Sequence, residues 1–216
     1  MAISNPDITL AGLSRQQLLD MHYTMSLIRH FEEKAGEEYQ MGKIGGFLHL
    51  YIGQEAVATG AITPLRPDDY VISSYREHGH AIVKGADPNA VMAELFGRAT
   101  GVSKGKGGSM HIFDAAHHFH GGYAIVGAQM PIACGYGLAH KFEGKQRITM
   151  TFFGDGAVDE GAFHEAMNLA ELWSLPVVFI CENNLYSMGN ALAKAWSVSS
   201  LEPRAAAYGM AYERVD

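Results

Sequence analysis

The stretch ITMTFFGDGAVDEGAFHEAMNLAELWSLPVVFICENN, residues 148–184, decides the fold, because it reads as one strand–helix–strand unit with an oxygen-bearing side chain at each end. ITMTFF (148–153) and VVFI (177–180) are apolar runs without alternation, bounded by Gly-Asp-Gly and Asn-Asn, the pattern of strands buried on both faces. Between them Phe163, Ala166, Met167, Ala170 and Trp173 recur at steps of three and four, while Glu160, Glu165 and Glu171 fall on other faces. That spacing predicts an amphipathic helix, which Pro176 bars from continuing. Asp155 and Asn184 are 184 − 155 = 29 residues apart, about the length of a parallel crossover. They should therefore return to one side of the sheet, beyond the carboxyl ends of its strands, where open α/β sheets bind ligands. The fold class is α/β, an open and mostly parallel sheet flanked by helices.

Charge narrows the ligand. A diphosphate is attracted by N–H groups at a glycine turn and helix N-terminus, but Asp155 would repel it unless a cation intervened. Mg²⁺ accepts a set of carboxylate, neutral oxygens, phosphates and water. Asp155, the side-chain oxygen of Asn184 and a nearby backbone carbonyl, Tyr186 for preference, would supply the protein's share. Read singly, Gly-Asp-Gly is a tight turn and Asn183-Asn184 a turn of left-handed residues. Their pairing across one crossover favours the metal–diphosphate reading. A dinucleotide fingerprint is excluded by spacing, since Gly156 is followed by Ala157, Val158 and Asp159. GKGGSM (105–110) has its lysine before the glycines and is not a P-loop.

The rest of the chain sets bounds. Its 216 residues are 48% hydrophobic and 18% charged, ordinary for a globular protein, and with no internal repeats or linkers they read as a single domain, 1–216. A net charge of −7 with no basic run argues against nucleic acid as a partner. Cys134 and Cys181 lie in apolar contexts without metal or redox spacing, as core residues of a reducing compartment do. MAISNPDITLAG (1–12) lacks the form of a signal peptide and no run is long enough for a membrane span, so the expectation is a cytoplasmic protein without a membrane partner.

Toward the N-terminus, LSRQQLLDMHYTMSLIRHFEEKAGEEYQMG predicts a helical arm at about 13–42, capped by Ser14, with Leu18, Met21, Met25, Ile28 and Phe31 on its apolar face. Gln54 to Ile62 should be a second helix, YVISS (70–74) a strand, and 88–98 a short helix. His49 alone reads as an ordinary core or surface histidine. Arg76, just past a strand end, is either a surface ion-pair residue or a phosphate clamp. His78 and His80 read as solvated loop residues, and residues 101–122 as a long glycine- and histidine-rich loop in which His117, His118 and His120 are a weak metal candidate. An apolar segment from Tyr123 then enters a helix with small residues at 133, 135, 137 and 139, placed for packing on the sheet or a subunit contact.

GFLHLYIGQEA (46–56), SSYREHGH (73–80), GKGGSMH (105–111), GGYAIVGAQMP (121–131), the Gly-Asp-Gly to Glu-Asn-Asn unit and NLYSMGN (184–190) together resemble one family. It is that of the alpha subunits of heteromeric thiamine diphosphate-dependent 2-oxo acid dehydrogenases, most closely the pyruvate dehydrogenase first component. The resemblance covers residues 45–190, in family order.

It implies the thiamine diphosphate-binding fold, with thiamine diphosphate and Mg²⁺ as cofactors. It places His49 at the substrate end of the pocket as a catalytic residue, and Tyr75 and Arg76 where they approach substrate and diphosphate. Val126 and its neighbour Ala124 match the segment that touches the aminopyrimidine, although the family usually has glycine where this chain has Ala124. Gly156 and Ala157 match the diphosphate cradle, and Asp155, Asn184 and the Tyr186 carbonyl the metal ligands. The implied reaction is oxidative decarboxylation of pyruvate with acetyl transfer to a lipoyl group on an acyltransferase core. It would be carried out in an alpha2beta2 heterotetramer whose beta subunit supplies the glutamate that activates the aminopyrimidine. Acetoin and branched-chain 2-oxo acid dehydrogenases are the alternatives, and Tyr75 favours the pyruvate enzyme over the acetoin enzymes, which often have histidine there. The family continues past the segment matching YERVD (212–216), read here as a strand, so the chain is expected to be C-terminally truncated with an exposed sheet edge. A non-catalytic scaffold subunit is the alternative of another class, and a nucleotide-binding oxidoreductase a weaker third.

Overall fold

A computed structural model of the chain describes residues 12–198 and 200–215. Helix α1 (Arg15–Gln40) begins at Ser14, whose side chain accepts from the Gln17 backbone while the Gln17 side chain accepts in return, a complete capping box. It ends at Met41, followed by Gly42 with φ of 72°. Only its C-terminal half is buried, through Ile28, Phe31, Glu32, Ala35 and Glu38; Leu18, Met21 and Met25 of the expected face stay half-exposed. Helix α2 (Glu55–Ile62), strand β1 (Tyr70–Ser74), helix α3 (His78–Lys84) and helix α4 (Pro88–Leu95) follow, and α4 is capped by Asp87 with proline in its first turn.

Residues 101–122 are not one loop. They end in strand β2 (Phe119–Tyr123), which pairs in parallel with β1, and the preceding glycines are drawn onto a single carboxylate. Glu94 of α4 accepts from the backbone N–H groups of Ser103, Gly105, Gly107 and Gly108 at 2.8, 2.8, 2.7 and 3.2 Å. Backbone without side chains to bury is thereby given its hydrogen bonds from α4.

Helix α5 (Gln129–Phe142), strand β3 (Thr149–Gly154), helix α6 (Gly161–Leu172) and strand β4 (Val177–Glu182) complete the main sheet, whose order is β2-β1-β3-β4 with every pairing parallel. The crossover read from residues 148–184 is present, with Thr149 opposite Val177 and Gly154 opposite Glu182. Phe163, Ala166, Met167 and Ala170 of α6 are buried, as the spacing required; Trp173 caps the helix and is exposed. Period-two alternation assigns two faces. Met150, Phe152 and Ile180 join the core under α1 to α4, whereas Phe153, Phe179 and Cys181 join the core with α5 and α6. On α5, Ala133 and Gly137 are buried, Gly137 against Leu175 and Val177, so these small residues pack on the sheet.

Strand β4 differs from the sequence reading: among the described residues it is the sheet edge, and most of it is only half-buried. A short hairpin of β5 (Tyr186–Ser187) and β6 (Asn190–Ala191), then helices α7 (Leu192–Ala195) and α8 (Glu202–Ala206), follow. Asp159 ties this tail down, accepting from Trp196 Nε1 at 3.0 Å and the Arg204 guanidinium at 2.8 Å. Tyr212 to Val215 form no strand, because no described strand lies beside them to complete a ladder. Both cysteines are free. No helix among the described residues is long and apolar enough to cross a membrane.

Candidate active-site cleft

The chain runs from β1 outward to β2 and then returns across β1 to β3, so the strand order reverses between β1 and β3. The carboxyl ends of two neighbouring strands whose connections leave in opposite directions open a crevice there. A cleft of about 490 Å³ occupies it. Ser74, Tyr75 and Arg76 line it from the end of β1, Gly154 to Ala157 from the end of β3, and Glu182 and Asn184 from β4. Val126, Gly127 and Gln129 come from the end of β2 and the start of α5, and His49 and Gln54 from the segment before α2. Tyr186, Ser187 and Met188 of the hairpin close one side.

Every site residue expected from the sequence lines this cleft except Ala124, which is half-buried just past the end of β2. Asp155 is 1% exposed and its Oδ2 has no hydrogen-bond partner. Burial pushes its carboxyl above the usual range, against the N–H groups of its own residue and of Asn184. The two ends of the crossover therefore meet. Asn184 Oδ1 accepts from the Tyr186 N–H at 3.0 Å and Asn183 Oδ1 from the Leu185 N–H at 3.1 Å, so Asn-Asn does make a turn, but the left-handed residue expected there is Leu185, with φ of 68°, and neither asparagine. One acceptor position of the Asn184 oxygen is left over.

The surroundings are acidic, with Asp155, Glu160 and Glu182 on the walls, and Arg76 is the one guanidinium. Arg76 donates to the Leu50 carbonyl and makes no ion pair with a carboxylate among the described residues. His49 packs on Tyr75 with ring centroids 4.5 Å apart, and its backbone N–H donates to Ser109 Oγ at 3.4 Å. Burial, with Arg76 and His78 nearby, lowers the His49 pKa, so its imidazole is neutral near pH 7. A Cβ at Gly156 would overlap the Ser187 side chain, so only glycine lets the turn approach the hairpin this closely.

A buried carboxylate with one unpartnered oxygen beside a neutral amide oxygen, a close-approach glycine and a guanidinium without an ion pair across the cleft suit a cation with an anionic ligand. Among the described residues no three His, Cys, Asp or Glu side chains cluster as a metal site, consistent with a ligand set that needs one carboxylate and several neutral oxygens. That also removes the histidines at 117, 118 and 120 as a metal tract. His117 pairs with Asp114, while His118 and His120 pack on Tyr70.

The model of the family described as "Dehydrogenase E1 component" matches residues 23–216. The chain belongs to that family. The family is thiamine diphosphate-dependent, which agrees with the cleft's donor set. The chain is 50% identical over 197 residues to the pyruvate dehydrogenase E1 component subunit alpha of Rickettsia felis, covering 91% of this chain and 60% of that protein. It is 47% identical over 208 residues to the protein of that name from Rhizobium meliloti, covering 96% and 60%, and 50% identical over 197 residues to that of Zymomonas mobilis, covering 91% and 56%. The chain thus spans about three-fifths of the length of these relatives.

Two histidines contradict the sequence reading, because they belong to this E1 fold's interior. His78 and His80 lie in α3 and are fully buried. His78 Nδ1 is 3.0 Å from the Glu32 carboxylate and its Nε2 2.9 Å from Ser109 Oγ. His80 lies between Ser73 on one ring nitrogen and Tyr51 and Glu182 on the other. Polar partners far away in sequence replace the solvent that each was expected to have. Glu182 was not singled out from the sequence; its one signal is a carboxylate ending the apolar run VVFIC.

Proposed function

We propose that this chain is the alpha subunit of a pyruvate dehydrogenase first component, holding thiamine diphosphate through Mg²⁺ and acting with a beta subunit in an alpha2beta2 assembly. The observation that carries the reading is Asp155 Oδ2, a carboxyl oxygen buried in the cleft without a partner. Its relatives' names support the choice of pyruvate.

Asp155, the free lone pair of Asn184 Oδ1 and the Tyr186 carbonyl would hold Mg²⁺, and the N–H groups at Gly156 and Ala157 the diphosphate. Arg76 stands where a guanidinium can meet phosphate or carboxylate oxygens bidentately. Val126, 41% exposed, offers an apolar wall for a flat ring. When bound, thiamine diphosphate supplies an electron sink for the carbon that carbon dioxide leaves. His49, packed on Tyr75 and with its pKa lowered by burial, can accept a proton or donate a hydrogen bond at the substrate end, and the Tyr75 hydroxyl can orient the carbonyl. The beta subunit would contribute the carboxylate that activates the aminopyrimidine, and a lipoyl group on the acyltransferase core would take the acetyl product.

Calorimetric titration of thiamine diphosphate with Mg²⁺ into the chain co-expressed with its beta partner tests the site. Turnover of pyruvate, acetoin and branched-chain 2-oxo acids by the same complex tests the substrate. Metal-dependent binding with pyruvate preferred is the expected result. Binding without pyruvate turnover would overturn the substrate; no binding by a folded complex would make the chain a scaffold.

A further inference from the structure

Residues 43–54 contain no helix or strand, yet His49 must be held to a fraction of an ångström if it is to act on a substrate. Three consecutive residues tie it down, two to the loop that follows β1 and the third to the end of β4. The His49 ring packs on Tyr75, the Leu50 carbonyl accepts from Arg76, and the Tyr51 hydroxyl donates to Glu182 Oε1. His80 Nε2 is 3.2 Å from both the Tyr51 hydroxyl and Glu182 Oε1, and its Nδ1 is 3.2 Å from Ser73 Oγ. Tyr51, His80 and Ser73 are fully buried and Glu182 nearly so.

The Tyr51 ring is wedged against α3 at Gly79, where any Cβ would overlap it. Packing fixes the ring laterally, and the hydroxyl fixes its depth. Burial keeps the phenol protonated, so it serves as the donor. A carboxylate enclosed in this way is a poor source of stability, because its desolvation offsets most of what its hydrogen bonds return. Directional bonds to one oxygen do, however, define a single position for Tyr51, two residues from His49.

We propose that Glu182, acting through Tyr51, is the positioning residue that sets His49 against Tyr75. The inference rests on the reading of the cleft given above, in which His49 stands at the substrate end.

A double-mutant cycle in the complex with the beta partner tests it. Tyr51→Phe keeps the ring in its notch and removes only the hydroxyl. It is expected to lower kcat/KM for pyruvate by about tenfold with His49 present and by less than about twofold in a His49→Ala background. Affinity for thiamine diphosphate with Mg²⁺, read by calorimetry, should stay within about threefold in each case. Glu182→Gln keeps an acceptor oxygen for Tyr51, and should fall between wild type and Glu182→Ala. An equal Tyr51→Phe penalty in both backgrounds, or a loss of cofactor affinity that accounts for it, would overturn the positioning role and leave the cleft reading standing. A wild-type complex that binds no thiamine diphosphate would overturn both.

Discussion

Asp155→Asn should make the metal-free protein more stable while abolishing its use of Mg²⁺, and that opposition of sign distinguishes a ligand from a turn residue. Asp155 is 1% exposed, Oδ2 has no partner, and burial raises its pKa. For an acid whose folded pKa lies above the unfolded one, the folded state binds the extra proton, so ionisation above that pKa costs stability. An unsatisfied buried polar group costs about 1–3 kcal/mol, and more when charged. Asparagine removes the charge but leaves an amide in the same place, so a net gain of about 1 kcal/mol is expected, or roughly 2–4 °C in Tm for a chain of this size. Against this, losing even an outer partner of a metal ligand costs about 10–100-fold in affinity, and Asp155 is the only anionic ligand proposed, so binding should weaken by about 100-fold or more. Scanning calorimetry of the complex with chelator, and titration of thiamine diphosphate at varied Mg²⁺, read the two effects. If the variant melts lower and still binds cofactor with unchanged Mg²⁺ dependence, Asp155 is a structural turn residue and the metal assignment fails.

Three further outcomes follow from groups away from the proposed cation site. Glu77 is fully buried beside the Ile112 N–H, and burial pushes its carboxyl from the usual 4.5 up to about 8. The folded state therefore holds a proton that the unfolded state releases, and this group's contribution falls as pH rises from about 4.5 to 8. Glu77→Gln should flatten that part of a Tm–pH profile, and an unchanged slope would refute it. His120 packs on Tyr70 and Tyr136 with His118, His140, Arg147 and Lys84 facing it, and burial with these groups lowers its pKa to about 4. Here the folded state resists protonation, so stability is lost as pH falls from 6.5 toward 4; His120→Phe, which keeps the ring packing, should lose less Tm over that range than wild type. Gly79→Ala should cost about 1–3 kcal/mol through collision with the Tyr51 ring, and a denaturant titration showing a change under about 0.5 kcal/mol would mean that the notch can open.

Local order in the sequence was enough to find β1, β3, β4 and α6, because the strands are short runs rich in apolar residues bounded by turn residues and the helix repeats its apolar residues at steps of three and four. Strand β2 escaped because FHGGY has two glycines and a histidine where strands favour β-branched residues, and its pairing is decided by β1, far upstream. The cleft was legible at Asp155 and Asn184 since both ends of one crossover must return to one side. Of the residues that the resemblance picked out, His49, Tyr75 and Val126 line that same cleft and Ala124 does not. Nothing local marks His78 and His80 as interior: Glu32 is forty-six residues before His78 and Glu182 is one hundred and two after His80, and those partners make their burial tolerable. The edge position of β4 likewise depends on strand order, which alternation along one strand does not encode.

The four amides gathered by Glu94 have a consequence for how the protein breathes. SKGKGG (103–108) offers no apolar side chain to bury, so its closed form depends chiefly on the hydrogen bonds it makes to α4. Opening is therefore a single event: if the carboxylate departs, all four N–H groups are released together. Amide exchange at Ser103, Gly105, Gly107 and Gly108 should share one opening free energy, set by the local melting of α4. Because Ser109, next in the chain, receives the His49 N–H, that rare opening would also be the moment at which the His49 side of the cleft loosens.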